Sequence, residues 1–148
     1  MTTFSLCMIV KNEENVLAHC LDSLADLMDE IIIVDTGSTD KTKEIAARYT
    51  DRIYDFTWID DFAAARNFAA SKATMEYIYT ADADEFVDPE NHRQIRQLKE
   101  VLLPEVEIVQ MYYCNDLGDY NTTGNFEREL RPKLYRRQRS FTWIDPIH

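Results

Sequence analysis

Two strongly apolar runs, Phe4 to Val10, nearly unbroken, and Glu30 to Val34 with Ile-Ile-Ile-Val at its heart, are separated by a segment whose apolar residues follow a helical period. A strand that reads apolar at nearly every position is covered on both faces, so these runs belong inside a layered structure rather than on a half-exposed sheet. Between them, Val16, Leu17, Cys20, Leu21 and Leu24 recur at i, i+4 and i+8, with Asn12 as the expected cap and Glu13 and Glu14 in the positive first turn. The alternation continues. A helix carrying Ile45, Ala46 and Tyr49 is expected after the turn Asp35 to Asp40, where Ser38 or Thr39 would cap it; a short strand follows over Arg52 to Phe56. Next come a helix marked by Phe62, Ala65, Phe68 and Ala69, and a fourth strand over Glu76 to Thr80.

Strand and helix in alternation, with short linkers, predict a parallel sheet wound by right-handed crossovers. Beyond Pro89 the pattern changes. A helix with Ile95, Leu98 and Leu102 ends near Pro104, and a longer strand is expected over Glu105 to Tyr113. A loop with Gly118 and Gly124 follows, then short strands over Leu130 to Arg137 and Phe141 to Ile144, expected to be antiparallel. The 148 residues, 45% hydrophobic and 29% charged, suit one soluble globular domain. No apolar stretch is long enough to span a bilayer, and the start lacks the basic opening of a secretion signal, so a cytoplasmic location is expected, attachment at the inner membrane face included. Cys7, Cys20 and Cys114 lack metal spacing and read as reduced thiols.

A net charge of −11 argues against general nucleic-acid binding. One basic strip stands out: Arg128, Arg131, Lys133, Arg136, Arg137 and Arg139 share twelve residues with a single acid, Glu129. It reads either as an anion-accepting surface or as a solvated edge strand protected by charge.

In an open parallel sheet, ligands bind beyond the carboxyl ends of the strands. Asn12 follows strand one, Asp35 follows strand two, and Asp82 and Asp84 follow strand four. Asp82-Ala83-Asp84 delivers two carboxylates, the hard oxygen donors that Mg²⁺ or Mn²⁺ takes alongside substrate phosphates. Asp35-Thr36-Gly37-Ser38 matches an aspartic-protease signature, but its place between a buried strand and a helix excludes that chemistry. It reads either as a plain turn or as a carboxylate facing the N–H groups of a nucleobase. Arg66, in a helix with Ala63 to Ala65, reads either as a phosphate ligand or as an ion-pair partner of Asp60, Asp61 or Asp35. A phosphatase reading of Asp82 and Asp84 is disfavoured by their place after strand four. A nucleotidyltransferase should carry a Gly-rich loop where Val10-Lys11-Asn12-Glu13-Glu14 has no glycine.

Taken together, Ser5-Leu6-Cys7-Met8-Ile9-Val10-Lys11-Asn12-Glu13-Glu14, Ile33-Val34-Asp35-Thr36-Gly37-Ser38-Thr39-Asp40, Ala65-Arg66-Asn67 and Asp82-Ala83-Asp84-Glu85 resemble the family-2 glycosyltransferases. The resemblance spans essentially the whole chain. It implies an α/β GT-A fold, a Rossmann-like three-layer sandwich with a mostly parallel sheet and antiparallel strands in the C-terminal third. It also implies inverting transfer of a sugar from a UDP- or GDP-sugar with Mn²⁺ or Mg²⁺. The acceptor is unknown, a cell-envelope glycan, a lipid or a protein being the classes considered.

Residue by residue, the resemblance implies that Val10 and Asn12 border the nucleoside, Asp35 binds the base and Arg66 supports the nucleotide. Asp82 would contact ribose and metal, Asp84 would ligate the metal, and His148 would be a further metal ligand. Asp145 is the candidate base for the acceptor hydroxyl, with Glu85 a weaker one. Related enzymes are longer, so the chain reads as a single catalytic domain, 1–148, truncated at its C-terminus. The alternative is a nucleotide-sugar-binding module without turnover.

Overall fold

A computed structural model describes residues 2–58, 61–102, 108–115 and 127–137, with side chains described except at 108–115 and 127–132. Six strands form one sheet: β1 (Phe4–Val10), β2 (Glu30–Asp35), β3 (Ile53–Asp55), β4 (Tyr77–Thr80), β5 (Ile108–Asn115) and β6 (Glu127–Arg136), in the order β3-β2-β1-β4-β6-β5. The pairs β1/β2, β1/β4 and β2/β3 are parallel, whereas β6 runs antiparallel to both β4 and β5. The expected sheet, parallel with antiparallel strands late in the chain, is therefore the one observed. The strand expected over Phe141 to Ile144 lies outside the described residues.

The helices are α1 (Leu17–Leu24), α2 (Thr42–Ala46), α3 (Phe62–Ser71) and α4 (Pro89–Val101). Three layers follow from the alternation of side chains along β1 and β2. Phe4, Leu6, Met8, Val10, Ile31 and Ile33 face one way, into a core closed by Leu17, Cys20, Leu21 and Leu24 of α1, Ile45 of α2 and Ile95 of α4. Cys7, Ile32 and Val34 face the other way, against Ala69 and Phe68 of α3. Burial on both faces is why these strands read apolar at nearly every central position. Leu21 is fully buried at the α1–sheet contact, and Leu21→Ala is expected to cost about 2–5 kcal/mol of stability by leaving a cavity, measured by urea denaturation.

The crossovers explain where a ligand could enter. From β1 to β2 to β3 the chain steps in one direction with α1 and α2 on one face, then returns through α3 on the opposite face to place β4 on the other side of β1. That reversal opens a crevice between the carboxyl ends of β1 and β4.

Two caps differ from expectation. α1 begins at Leu17, behind Val16 and without a side-chain cap; Asn12 lies four residues upstream with φ at 54°, a left-handed conformation that asparagine tolerates better than most residues. Neither Ser38 nor Thr39 caps α2: the N-cap position is Lys41, without a side-chain cap bond, and just before it the Asp40 carboxylate accepts from the Thr42 backbone N–H at 2.9 Å and from its hydroxyl. Both shifts have one cause. Side chains of the two loops bond across to each other, and local sequence does not show that partner.

Candidate donor and metal site at the strand ends

The loops after β1 and β2 are laced together. Asn12 Oδ1 accepts the Thr39 N–H at 2.8 Å, while the Asn12 N–H donates to Ser38 Oγ at 2.9 Å. Glu13 N–H donates to the Thr42 hydroxyl, and Glu14 accepts the Lys41 N–H. Neither acid serves the first turn of α1. Val10, opposite Asp35 in the parallel register, has its side chain in the core, and its carbonyl accepts the Thr36 N–H at 3.0 Å.

Asp35 is 2% exposed at the end of β2. Its Oδ1 accepts the N–H groups of Gly37 and Ser38 at 2.9 and 2.8 Å. This turn needs glycine for its backbone angle, φ 122°, and not for space, because a Cβ at Gly37 would meet nothing within 4 Å. The second oxygen, Oδ2, is buried and has no hydrogen-bond partner among the described residues. A buried acceptor left open in this way is unusual and calls for a donor.

On the other side of β1, the segment after β4 alternates in burial: Ala81 and Ala83 are 6% and 4% exposed, while Asp82 and Asp84 are exposed. The alanines anchor the segment in the core and aim both carboxylates outward. α3 supplies Arg66, whose guanidinium lies 3.8 Å from Asp82. Of the partners weighed for Arg66, Asp61 instead caps α3 by accepting the Ala64 N–H at 3.0 Å, and Asp60 lies outside the described residues. Arg66, Asp82, Phe62, Thr80, Cys7 and Ile9 border a recess of about 30 Å³. That holds a water or two, so a larger ligand would lie over it.

Glu13 was read from sequence only as a helix-start acid. Because α1 starts late, Glu13 stays in the loop, where burial and then the nearby Asp84, Asp82 and Asp40 push its carboxyl up. The strand ends therefore carry an excess of negative charge, which a cation would relieve. Among the described residues no three His, Cys, Asp or Glu side chains stand close enough to cage a metal. Two outward carboxylates with open coordination nonetheless fit Mg²⁺ or Mn²⁺, which completes its shell with water and phosphate oxygens.

Glu85, weighed as a base, is taken up otherwise. One carboxylate oxygen accepts the Asp82 N–H at 3.1 Å, and the other pairs with the ammonium of Lys133. Burial pushes the Glu85 carboxyl up and Lys133 pulls it back. Lys133 is 8% exposed, and β6 lies between β4 and β5, so the reading of the basic strip as a solvated edge strand does not hold. Cys7 and Cys20 are buried free thiols. Asp145 and His148 lie outside the described residues.

A sequence profile described as Glycosyl transferase family 2 matches residues 5–148. A TPR repeat-containing protein of Synechococcus elongatus is 44% identical over all 148 residues, and the chain spans 35% of that relative's length. Among solved structures, S. aureus TarS 1-349 in complex with UDP superposes with a TM-score of 0.53 at 24% identity, over 66% of this chain and 32% of that TarS 1-349 chain. Glucosyl-3-phosphoglycerate synthase from Mycobacterium tuberculosis, solved with Mg²⁺ and UDP, gives a TM-score of 0.51 at 23% identity, over 57% of this chain and 34% of that one. These likenesses establish the GT-A fold. No helix among the described residues is long and apolar enough to cross a membrane.

Proposed function

Because the chain belongs to glycosyl transferase family 2, we propose that it binds a nucleotide-activated sugar across the β1–β4 crevice and transfers the sugar, with inversion, to an acceptor hydroxyl. One observation carries the reading: Asn12, Asp35, Asp82 and Asp84 stand at the carboxyl ends of three adjacent strands, β2, β1 and β4, and Arg66 of α3 reaches Asp82 there. Asp35 and the Asp82 segment are two strand spacings apart, about 10 Å. A nucleoside diphosphate bridges such a gap.

In this reading the open Oδ2 of Asp35 accepts an N–H of the base, and Asn12 shapes the adjoining wall by tying the β1 and β2 loops together. Val10 borders the nucleoside through its backbone. Arg66, held beside Asp82, offers the diphosphate a charge-assisted bond. Asp82 and Asp84 would hold a divalent cation, Mn²⁺ or Mg²⁺, and Asp82 also the ribose; the cation would supply charge neutralisation for the departing diphosphate. The solved neighbours bound to UDP support a uridine donor, with GDP-sugars as the other nucleotide class. Asp145 is proposed as the base and His148 as a further metal ligand. In the same reading it is a cytoplasmic enzyme whose acceptor is an envelope glycan, a lipid or a protein.

The direct test is to incubate the purified chain with UDP- or GDP-sugars and Mn²⁺ and follow release of nucleoside diphosphate. Release is expected with metal and should fall to the buffer rate in EDTA. Metal-independent release would overturn the metal assignment. Binding without any release would favour a nucleotide-sugar-binding module.

A further inference from the structure

We propose that Lys133 and Glu85 form a positioning pair that holds the Asp82–Asp84 segment in its working geometry, making the antiparallel strand β6 part of the donor site. The inference rests on the donor-site reading above and adds two residues that touch neither nucleotide nor cation in it.

The sheet register supplies the first argument. Val109 pairs with Leu134 but Gln110 pairs with Pro132, so Lys133 is an extra residue, a bulge in β6. Bulges re-aim side chains and gather next to active sites. In an unbroken pleat Lys133 would share the face of Tyr135, which packs on the α3 side. Its ammonium instead meets Glu85, whose electrostatic neighbours Cys20 and Tyr79 belong to the opposite core.

The second argument is how Glu85 is spent. Its two oxygens clamp Asp82 to β6: one takes the Asp82 N–H and the other takes Lys133, while the Glu85 N–H returns to the Asp82 carbonyl at 3.0 Å. The Thr80 hydroxyl bonds the Lys133 carbonyl at 3.5 Å, and Cys20 Sγ lies 3.7 Å from the Asp82 carbonyl. The side chains of Glu85 and Lys133 are 11% and 10% exposed, so solvent screens the pair little. A loop that must present two like charges side by side resists their repulsion only if its backbone is tied down. This clamp does the tying.

The test uses hydrogen exchange of the Asp82 amide, which needs no ligand, together with UDP titration in Mn²⁺. Lys133→Met is expected to speed Asp82 exchange at least tenfold and to weaken UDP binding in Mn²⁺ at least tenfold, with Lys133→Arg restoring both to within about threefold of wild type. A folded Lys133→Met chain with wild-type Asp82 exchange and wild-type UDP affinity would overturn the proposal. Should Lys133→Met fail to fold, Glu85→Gln decides it. Glutamine keeps an acceptor for the Asp82 N–H but loses the charge that holds Lys133, so faster Asp82 exchange is expected and unchanged exchange is contrary. If the wild-type chain binds no UDP in Mn²⁺, the donor-site reading fails by itself; the exchange comparison still reports whether the clamp exists.

Discussion

Replacing Asp84 by alanine is expected to abolish the Mn²⁺-dependent part of the thermal stabilisation given by UDP or GDP, and to lower sugar transfer by at least about a hundredfold. The unliganded chain should melt close to wild type. Asp84 is exposed and makes no hydrogen bond or ion pair among the described residues, and surface changes away from such features stay within about ±0.5 kcal/mol. Removing the carboxylate also removes one of the charges that push Glu13 up, so any change in the unliganded chain should be toward greater stability. A ligand at a hundred times its dissociation constant stabilises the native state by about 2.7 kcal/mol. That is the signal the variant should lose. An Mn²⁺-dependent shift that persists in Asp84→Ala would remove this residue as a ligand.

The second large effect is expected from Asp35→Asn. Asparagine can keep its carbonyl oxygen toward Gly37 and Ser38, whose N–H groups now bond Oδ1 at 2.9 and 2.8 Å. The turn should therefore survive, with a stability change of about 1 kcal/mol or less. The open acceptor Oδ2, however, becomes an NH₂ donor. Facing the N–H of a base, it replaces a hydrogen bond by two opposed donors inside a buried site, a mismatch that binding sites reject strongly. UDP affinity should fall at least about tenfold in isothermal titration, with the unfolding midpoint nearly unchanged. A variant that binds UDP as wild type does would show that Asp35 serves only the turn. Asp35→Ala separates the roles less cleanly, since it strips the turn of its acceptor as well.

The order of elements and the ends of the first four strands were legible in the residues because strands and helices leave different apolar patterns, and because β1, β2 and β4 are buried along most of their length. The candidate site was legible for a related reason. Once β1, β2 and β4 are parallel, the residues following each of them must appear at one edge of the sheet, whichever side chains they carry. Asn12, Asp35, Asp82 and Asp84 needed no more than that. Arg66 needed more: the sequence offered Asp60, Asp61 and Asp35 as partners, and only the fold shows its guanidinium 3.8 Å from Asp82.

Where the reading from sequence failed, the deciding bond joins residues far apart in the chain. Asn12 was expected to cap its own helix and instead accepts from Thr39, 27 residues on. Glu13 was assigned to a helix dipole and stands by the aspartates because α1 starts at Leu17. Lys133 lies in a basic strip that reads either as an anion-accepting surface or as a solvated edge strand; the second fails because the strand is interior, and the bulge is defined only by which residues of β5 and β6 pair. Hydrophobic period and turn chemistry are local properties, so the sequence by itself determined the layers, the parallel sheet and the edge at which the carboxylates gather. Strand order, the bulge and the Glu85–Lys133 clamp depend on contacts between distant segments, and tertiary structure alone decided how that edge holds its two aspartates in place.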